Sequence, residues 1–297
     1  MSTNTPIEPP RGAFETKLNF FSSTSDGEIP YSTFGAQVAT LQKLSNIVSI
    51  PQVVQVNDMR GHESDFNLDV QGFEPIRGVS PLAPVLIEAN GDFVLQGKED
   101  LVKEHVEEVL HDHFEAVEYL NILTLMLRSS ESNKAGVQGP RKPSPLIHID
   151  QTPSAGLNYV AQLPSHLQES VTKGLSRVRI LSVWQPLVPA VLDWPLAMAD
   201  ARTCPSSALL DSETRLSQNR KGAMSLMRFA PGVAWWYWSG MTDEEILLIK
   251  NYDSMDIDSR TPHTSFRDPR VLSDDPRVYR KSVEARVVLV TKVEQLK

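Results

Sequence analysis

The chain has 297 residues, a formal net charge of −8 and 40% apolar residues, which is enough to bury one large core or two modest ones. An acidic balance with no basic tract speaks against a nucleic-acid partner or an anionic membrane surface, and no apolar run approaches the length of a membrane span. Cys204 is the single cysteine; it excludes an internal disulfide framework, suits a reducing, cytoplasmic setting, and has no basic partner patterned around it that would make it a nucleophile.

Residues 1–12, MSTNTPIEPPRG, lack the apolar core of a signal peptide and read as a flexible lead-in. No linker interrupts the rest, so residues 13–297 are expected to form a single domain. Residues 13–21 alternate and break at the turn-rich Ser-Thr-Ser-Asp-Gly, and 52–58 are short and β-branched. The stretch 75–84, bounded by prolines, reads as a loop. From 99 to 115 the period changes to that of a helix, with Leu101, Val102, Val106, Val109, Leu110 and Phe114 three or four apart. Residues 116–128 read as a long buried strand that ends in a Ser/Asn/Gly/Pro-rich loop at 129–145. Further strands are expected at 146–150, 157–162, 177–184, 225–229, 233–238, 246–252, 263–266 and 282–292, and a second helix at 164–174. Many strands with few helices imply a mainly β fold: a double-stranded β-helix, or jelly-roll barrel, with a few decorating helices.

Three His-x-acid triplets occur: His105/Glu107, His113/Glu115 and His148/Asp150. In the helical segment, residues two apart point to roughly opposite sides and cannot easily share a metal. The same argument makes His111-Asp112-His113 a solvated helix face. His148-Ile149-Asp150 lies in strand-like sequence, where positions i and i+2 share a face. His263 follows the apolar run EEILLIKNYDS and a short loop, so it opens a new strand. Two histidines and one carboxylate can occupy one face of an iron octahedron and leave three positions for cosubstrate and oxygen. The bland alternative is that both histidines are satisfied core residues.

Arg280-Lys281-Ser282 leads into the strand SVEARVVLV. Arg280, Ser282, Glu284 and Arg286 share one face, against Val283, Ala285 and Val287 on the other. An arginine and a serine on that face can grip a carboxylate with a guanidinium fork and a hydroxyl. The partner is either a nearby acid such as Glu284 or the distal carboxylate of 2-oxoglutarate, with Arg280 the first choice of clamp and Arg286 the reserve. The aromatic run Trp235-Trp236-Tyr237-Trp238 is read as packing rather than ligand stacking, and the 99–115 helix as one lying on a barrel.

Taken in order, several stretches resemble the fungal and bacterial hydroxylase/desaturase proteins akin to gibberellin GA4 desaturase and the cephamycin 7α-hydroxylase component. They are Asp58-Met59-Arg60-Gly61, Phe66-Asn67-Leu68-Asp69, Gly72-Phe73-Glu74, His148-Ile149-Asp150-Gln151-Thr152 and Val183-Trp184-Gln185-Pro186-Leu187. The series continues with Asp193-Trp194-Pro195-Leu196-Ala197, Asp200-Ala201-Arg202, Trp236-Tyr237-Trp238, Met241 with Glu245, Lys250-Asn251-Tyr252-Asp253-Ser254, His263-Thr264-Ser265-Phe266 and Arg280 to Arg286. The resemblance implies an Fe(II)- and 2-oxoglutarate-dependent dioxygenase of secondary metabolism that consumes O2. It implies His148, Asp150 and His263 as iron ligands, and Arg280 with Ser282 as the cosubstrate clamp. Where the family has Trp-Arg-Pro-Leu, this chain has Gln185, a loss of charge that bears on the substrate if that arginine contacts it.

The expected reaction is hydroxylation, desaturation or oxidative cyclisation of a small natural product, by a protein free to form homo-oligomers. Two other classes fit the same residues: a redox-neutral metal-dependent isomerase or cyclase, and a non-catalytic β-barrel binding module.

Overall fold

Alternating patterns such as those at 13–21 and 282–292 bury one side of a strand against a core and leave the other side for a second layer. The computed structural model describes residues 7–33, 44–87, 94–131, 140–217, 220–271 and 275–293. In chain order the elements are β1 (Phe14–Thr24), β2 (Tyr31–Thr33), β3 (Ile47–Asp58), β4 (Phe73–Arg77), α1 (Ala83–Leu86), α2 (Glu99–His113), β5 (Val117–Ser129), β6 (His148–Ile149), α3 (Pro153–Val160) and α4 (Ser165–Thr172). They continue with β7 (Ser176–Pro186), β8 (Leu196–Ala199), β9 (Leu209–Ser217), β10 (Arg220–Met227), β11 (Trp235–Tyr237), β12 (Glu245–Asp253), β13 (His263–Ser265) and β14 (Lys281–Lys292).

Among the described residues, nine strands form one sheet in the order β1-β3-β11-β8-β13-β6-β10-β9-β2. Five form the other, in the order β4-β12-β7-β14-β5. Strand pairings are antiparallel except β11 on β3 and β2 on β9. The two sheets curl into the expected jelly roll. An apolar core between them takes Leu196 and Met198 from the large sheet and Trp184, Leu247 and Ile249 from the small one.

The outer side of the small sheet is covered by helix. Leu181, Val183, Ile246, Leu248, Val283, Ala285, Val287 and Leu289 pack there against Val102, Val106 and Leu110 of α2. Those three residues are four apart, as an apolar helix stripe requires. The even-numbered residues of β14 point the other way, into the barrel. That side is polar from Ser282 to Arg286 and becomes apolar at Val288 and Val290, where Leu163 and Leu167 close the end beside α3 and α4.

Two local expectations are overturned. Residues 157–162 are not a strand: 153–160 is a helix. Thr152 caps it, its hydroxyl accepting from Ala155 N at 3.1 Å, and Pro153 takes the first turn, where its missing N–H costs nothing. Residues 75–84 are not all loop, because β4 runs through Pro75 and α1 begins at Ala83. Proline is tolerated there because β4 is the edge of its sheet. Strands β8 and β9 were also missed by the sequence reading; β8 is a buried Leu-Ala-Met-Ala run too short to show a period. In the aromatic run, Trp235 and Tyr237 enter one core and Trp238 another, while the half-buried Trp236 packs against that second core and lines an open cleft. Residues 1–6 of the lead-in and 132–139 of the 129–145 loop lie outside the described residues.

Candidate metal centre

Strand pairing brings the two distant histidines together. His148 of β6 and His263 of β13 are direct cross-strand partners, and β6 ends so soon that Asp150 turns back beside them. One donor atom from each of the three residues lies within 4.8 Å of the other two. His148 Nε2 is 3.6 Å from Asp150 Oδ1, and His263 Nε2 is 3.6 Å from Asp150 Oδ2. Both histidines are buried.

Each imidazole is held by its other nitrogen. His148 Nδ1 lies 2.7 Å from the Leu146 carbonyl and His263 Nδ1 lies 3.1 Å from the Thr261 carbonyl. A carbonyl only accepts, so these bonds place the proton on Nδ1 and turn the Nε2 lone pair inward, the orientation a metal ligand needs. Burial and the neighbouring His263 push His148 down to about 4, so it is neutral near pH 7. Burial works against ionisation of Asp150, yet the Arg286 guanidinium and the two imidazoles hold its carboxyl well below the usual range. Two neutralisable imidazoles and an ionised carboxylate form a donor set that fits a divalent iron on one face. The other His-x-acid triplets do not converge. His105 bonds to Gln185 Oε1 at 2.9 Å, His113 pairs with Glu74 at 3.1 Å, and His111 is exposed.

A cavity runs from the two histidines to Arg280, walled by Trp184, Leu196, Ile249 and Ser265, with Arg128 and Glu284 to one side. Arg280 is fully buried. Its Nη1 donates to the Trp194 carbonyl at 2.7 Å and to Ser265 Oγ at 3.0 Å. Nε, Nη2 and the hydroxyl of Ser282 are buried without a partner among the described residues. Orphaned buried donors are costly unless a ligand answers them. Burial, with the like charge of Arg128 added, pushes Arg280 down to about 9, and an anion in the cavity would oppose that shift by Coulombic attraction. Of the charged groups lining the cavity, two are guanidiniums (Arg128, Arg280) and one is a carboxylate (Glu284), a surplus of positive charge that a dicarboxylate suits.

Trp194 shapes this wall. It has φ +58° although it is not glycine, a conformation costing about 1–3 kcal/mol. The hold of Arg280 on its carbonyl, with Asp193 Oδ1 accepting from its N–H at 2.8 Å, keeps it there.

Two sequence readings change. Arg286 is not directed at the cavity: its Nη2 lies 2.7 Å from Asp150 Oδ1 and 3.3 Å from Glu284 Oε1. Gln185 is on the outer side of the small sheet, where its amide donates to the Ser80 and Asp243 carbonyls at 3.0 and 2.7 Å. With its Oε1 2.9 Å from His105 Nε2, Gln185 ties α2 to the small sheet on the side away from the cavity. Arg128 and Glu284 were not put forward as cavity residues from sequence. The polar face of β14 could have pointed to Glu284, but Arg128 reads as an ordinary strand-end cation until β5 is paired with β14.

With the geometry in place, the likenesses to known proteins become informative. The oxidoreductase/YMDC permease-like domain family matches residues 18–290. The Fe(II)/2-oxoglutarate-dependent dioxygenase nvfI of Aspergillus novofumigatus is 28% identical over 261 residues, covering 84% of this chain and 86% of its own. The hydroxylase/desaturase efuI of Hormonema carpetanum is 26% identical over 308 residues, covering 92% and 94%. The solved structure of the iron and alpha-ketoglutarate-dependent endoperoxidase NvfI superposes with a TM-score of 0.77 at 26% identity, covering 96% of this chain and 100% of that one. Among the described residues no helix is long and apolar enough to cross a membrane. The chain belongs to the oxidoreductase/YMDC permease-like domain family and is an Fe(II)- and 2-oxoglutarate-dependent oxygenase, similar to fungal enzymes named as dioxygenases and hydroxylase/desaturases.

Proposed function

We propose that His148, Asp150 and His263 hold Fe(II), that Arg280 and Ser282 hold the distal carboxylate of 2-oxoglutarate, and that the enzyme oxidises a C–H bond of a small natural product by hydroxylation, desaturation or ring closure. The observation that carries this reading is a cavity that joins His148 and His263, the two imidazoles of the His-Asp-His set, to a buried arginine with unanswered donors.

Bound iron with 2-oxoglutarate and O2 supplies the oxidising power, released as the 2-oxo acid goes to succinate and CO2. The protein's part is positioning and exclusion of water. The backbone carbonyls of Leu146 and Thr261 keep both imidazoles in the ligating tautomer. Arg280 offers Nε and Nη2 to the far carboxylate while Nη1 stays tied to Trp194 and Ser265, so the fork does not swing. Trp184, Leu196 and Ile249 make the walls apolar, which strengthens each charge contact inside. One unbroken jelly roll over residues 13–297, with a cytoplasmic setting, completes the proposal. It is supported by the absence of any linker composition and by the lone cysteine.

Anaerobic loading with Fe(II) and 2-oxoglutarate, followed by O2, tests this reading. Slow release of succinate and CO2, even without the organic substrate, is the expected result. Metal binding with no consumption of 2-oxoglutarate would favour the redox-neutral isomerase or cyclase, and absence of metal binding would favour the non-catalytic module.

A further inference from the structure

We propose that Arg286 is a positioning residue of the iron centre: its guanidinium takes one oxygen of Asp150, so that the carboxylate meets the metal through the other. This rests on the reading of His148, Asp150 and His263 as iron ligands.

Arg286 of β14 pairs with Ser182 of β7 in the small sheet, while Asp150 follows β6 of the large one. The contact therefore crosses the barrel. Glu284, two residues earlier on the same strand, anchors the guanidinium at 3.3 Å, and Nη2 reaches Asp150 Oδ1 at 2.7 Å. The second oxygen is held differently. Oδ2 accepts from Ser182 Oγ at 3.1 Å, but that hydroxyl has one proton and lies equally close to Glu284 Oε1, at 3.1 Å. Asn251 steadies the arrangement, its Nδ2 donating to Ser182 Oγ at 3.0 Å and its Oδ1 accepting from Asp150 N at 3.2 Å.

The two oxygens are thus inequivalent. Oδ1 sits in a buried ion pair with the guanidinium at 2.7 Å, whereas Oδ2 carries only a shared, neutral hydroxyl. The imidazoles do not choose between the two, since His148 Nε2 lies 3.6 Å from Oδ1 and His263 Nε2 3.6 Å from Oδ2, so a metal takes Oδ2 because the guanidinium leaves it less tightly held. Arg286 does not line the cavity that Arg280 closes, which separates it from the carboxylate clamp.

Calorimetric titration with Mn(II), first without and then with 2-oxoglutarate, tests the assignment on the full-length chain. Arg286→Ala should weaken Mn(II) binding about 10- to 100-fold, the usual effect of losing a partner that orients a metal ligand. Affinity for 2-oxoglutarate at saturating Mn(II) should stay at the native value. Native Mn(II) affinity with weakened 2-oxoglutarate binding would overturn the proposal and make Arg286 a clamp. Should the alanine variant fail to fold in a thermal melt, Arg286→Met keeps most of the bulk and carries no donor for Asp150. That variant, when folded, must show the Mn(II) loss, and native Mn(II) affinity in it overturns the proposal equally. His263→Ala is the control: Mn(II) binding that survives it refutes the ligand assignment itself, a different outcome from any result at Arg286.

Discussion

His148 and His263 are direct partners across antiparallel strands, with ring centroids 4.7 Å apart. Residues paired in this way project from the same face of a sheet, so the register of β6 on β13 places two imidazoles in one spot. A slip of one residue would turn one of them to the opposite face. The strand pair, more than either histidine alone, constitutes the metal site.

His148→Ala and His263→Ala should therefore each abolish metal retention, because two remaining ligands hold a divalent ion poorly. Asp150→Ala should keep weak binding and lose turnover. Metal content after gel filtration, measured beside a thermal melt, checks this; full occupancy in both histidine variants would refute the site.

Arg280→Ala should raise the dissociation constant for 2-oxoglutarate by two or more decades, since a buried charge-assisted contact is worth a few kcal/mol, and should leave Mn(II) binding alone. Arg280→Lys should recover only part of that affinity, because an ammonium lacks the guanidinium geometry. Arg128→Ala, removing the cation on the flank of the cavity, should weaken 2-oxoglutarate less. Titration of the metal-loaded protein reads all three, and an unchanged constant in Arg280→Ala would remove the clamp.

Gly156 lies in α3, and a Cβ there would run into the ring of Tyr252. Since α3 begins three residues after Asp150, a helix pushed off β12 should drag the carboxylate with it. Gly156→Ala is expected to destabilise the fold by about 1–3 kcal/mol, as overpacking does, and to weaken metal binding. A native melting temperature with native Mn(II) affinity would show that the helix is not fixed by this contact.

Burial lowers the pKa of His105 below its ordinary 6.5, with the Gln185 contact opposing. The unfolded chain therefore takes up a proton before the folded one does. Stability from this group is intact above 6.5 and declines as pH falls through the window between 6.5 and the folded pKa. His105→Gln should flatten that part of the stability profile in denaturant melts between pH 7 and pH 5. An unaltered slope would assign acid sensitivity to other groups.

The sequence by itself determined the class of fold and the pieces of the site. Alternation at 13–21, 246–252 and 282–292, and the i, i+4 stripe of α2, follow from local periods that any window of residues displays. His148-Ile149-Asp150 is likewise local in sequence, although β6 ends at Ile149 and the bend at Asp150, not strand parity, brings the carboxylate beside His148. What the tertiary structure alone decided is which distant residues meet. Arg286 and Arg280 have the same parity on β14 and look interchangeable in one dimension. Only the approach of β6 from the other sheet gives one of them Asp150, while the other lines the cavity beside the two histidines. Gln185 shows the converse: its motif suggested the site, but strand parity sends it to the helix side with Val183. Pairing partners and sheet order are long-range, set by how two curled sheets bury their apolar faces against each other, and no local window carries that information.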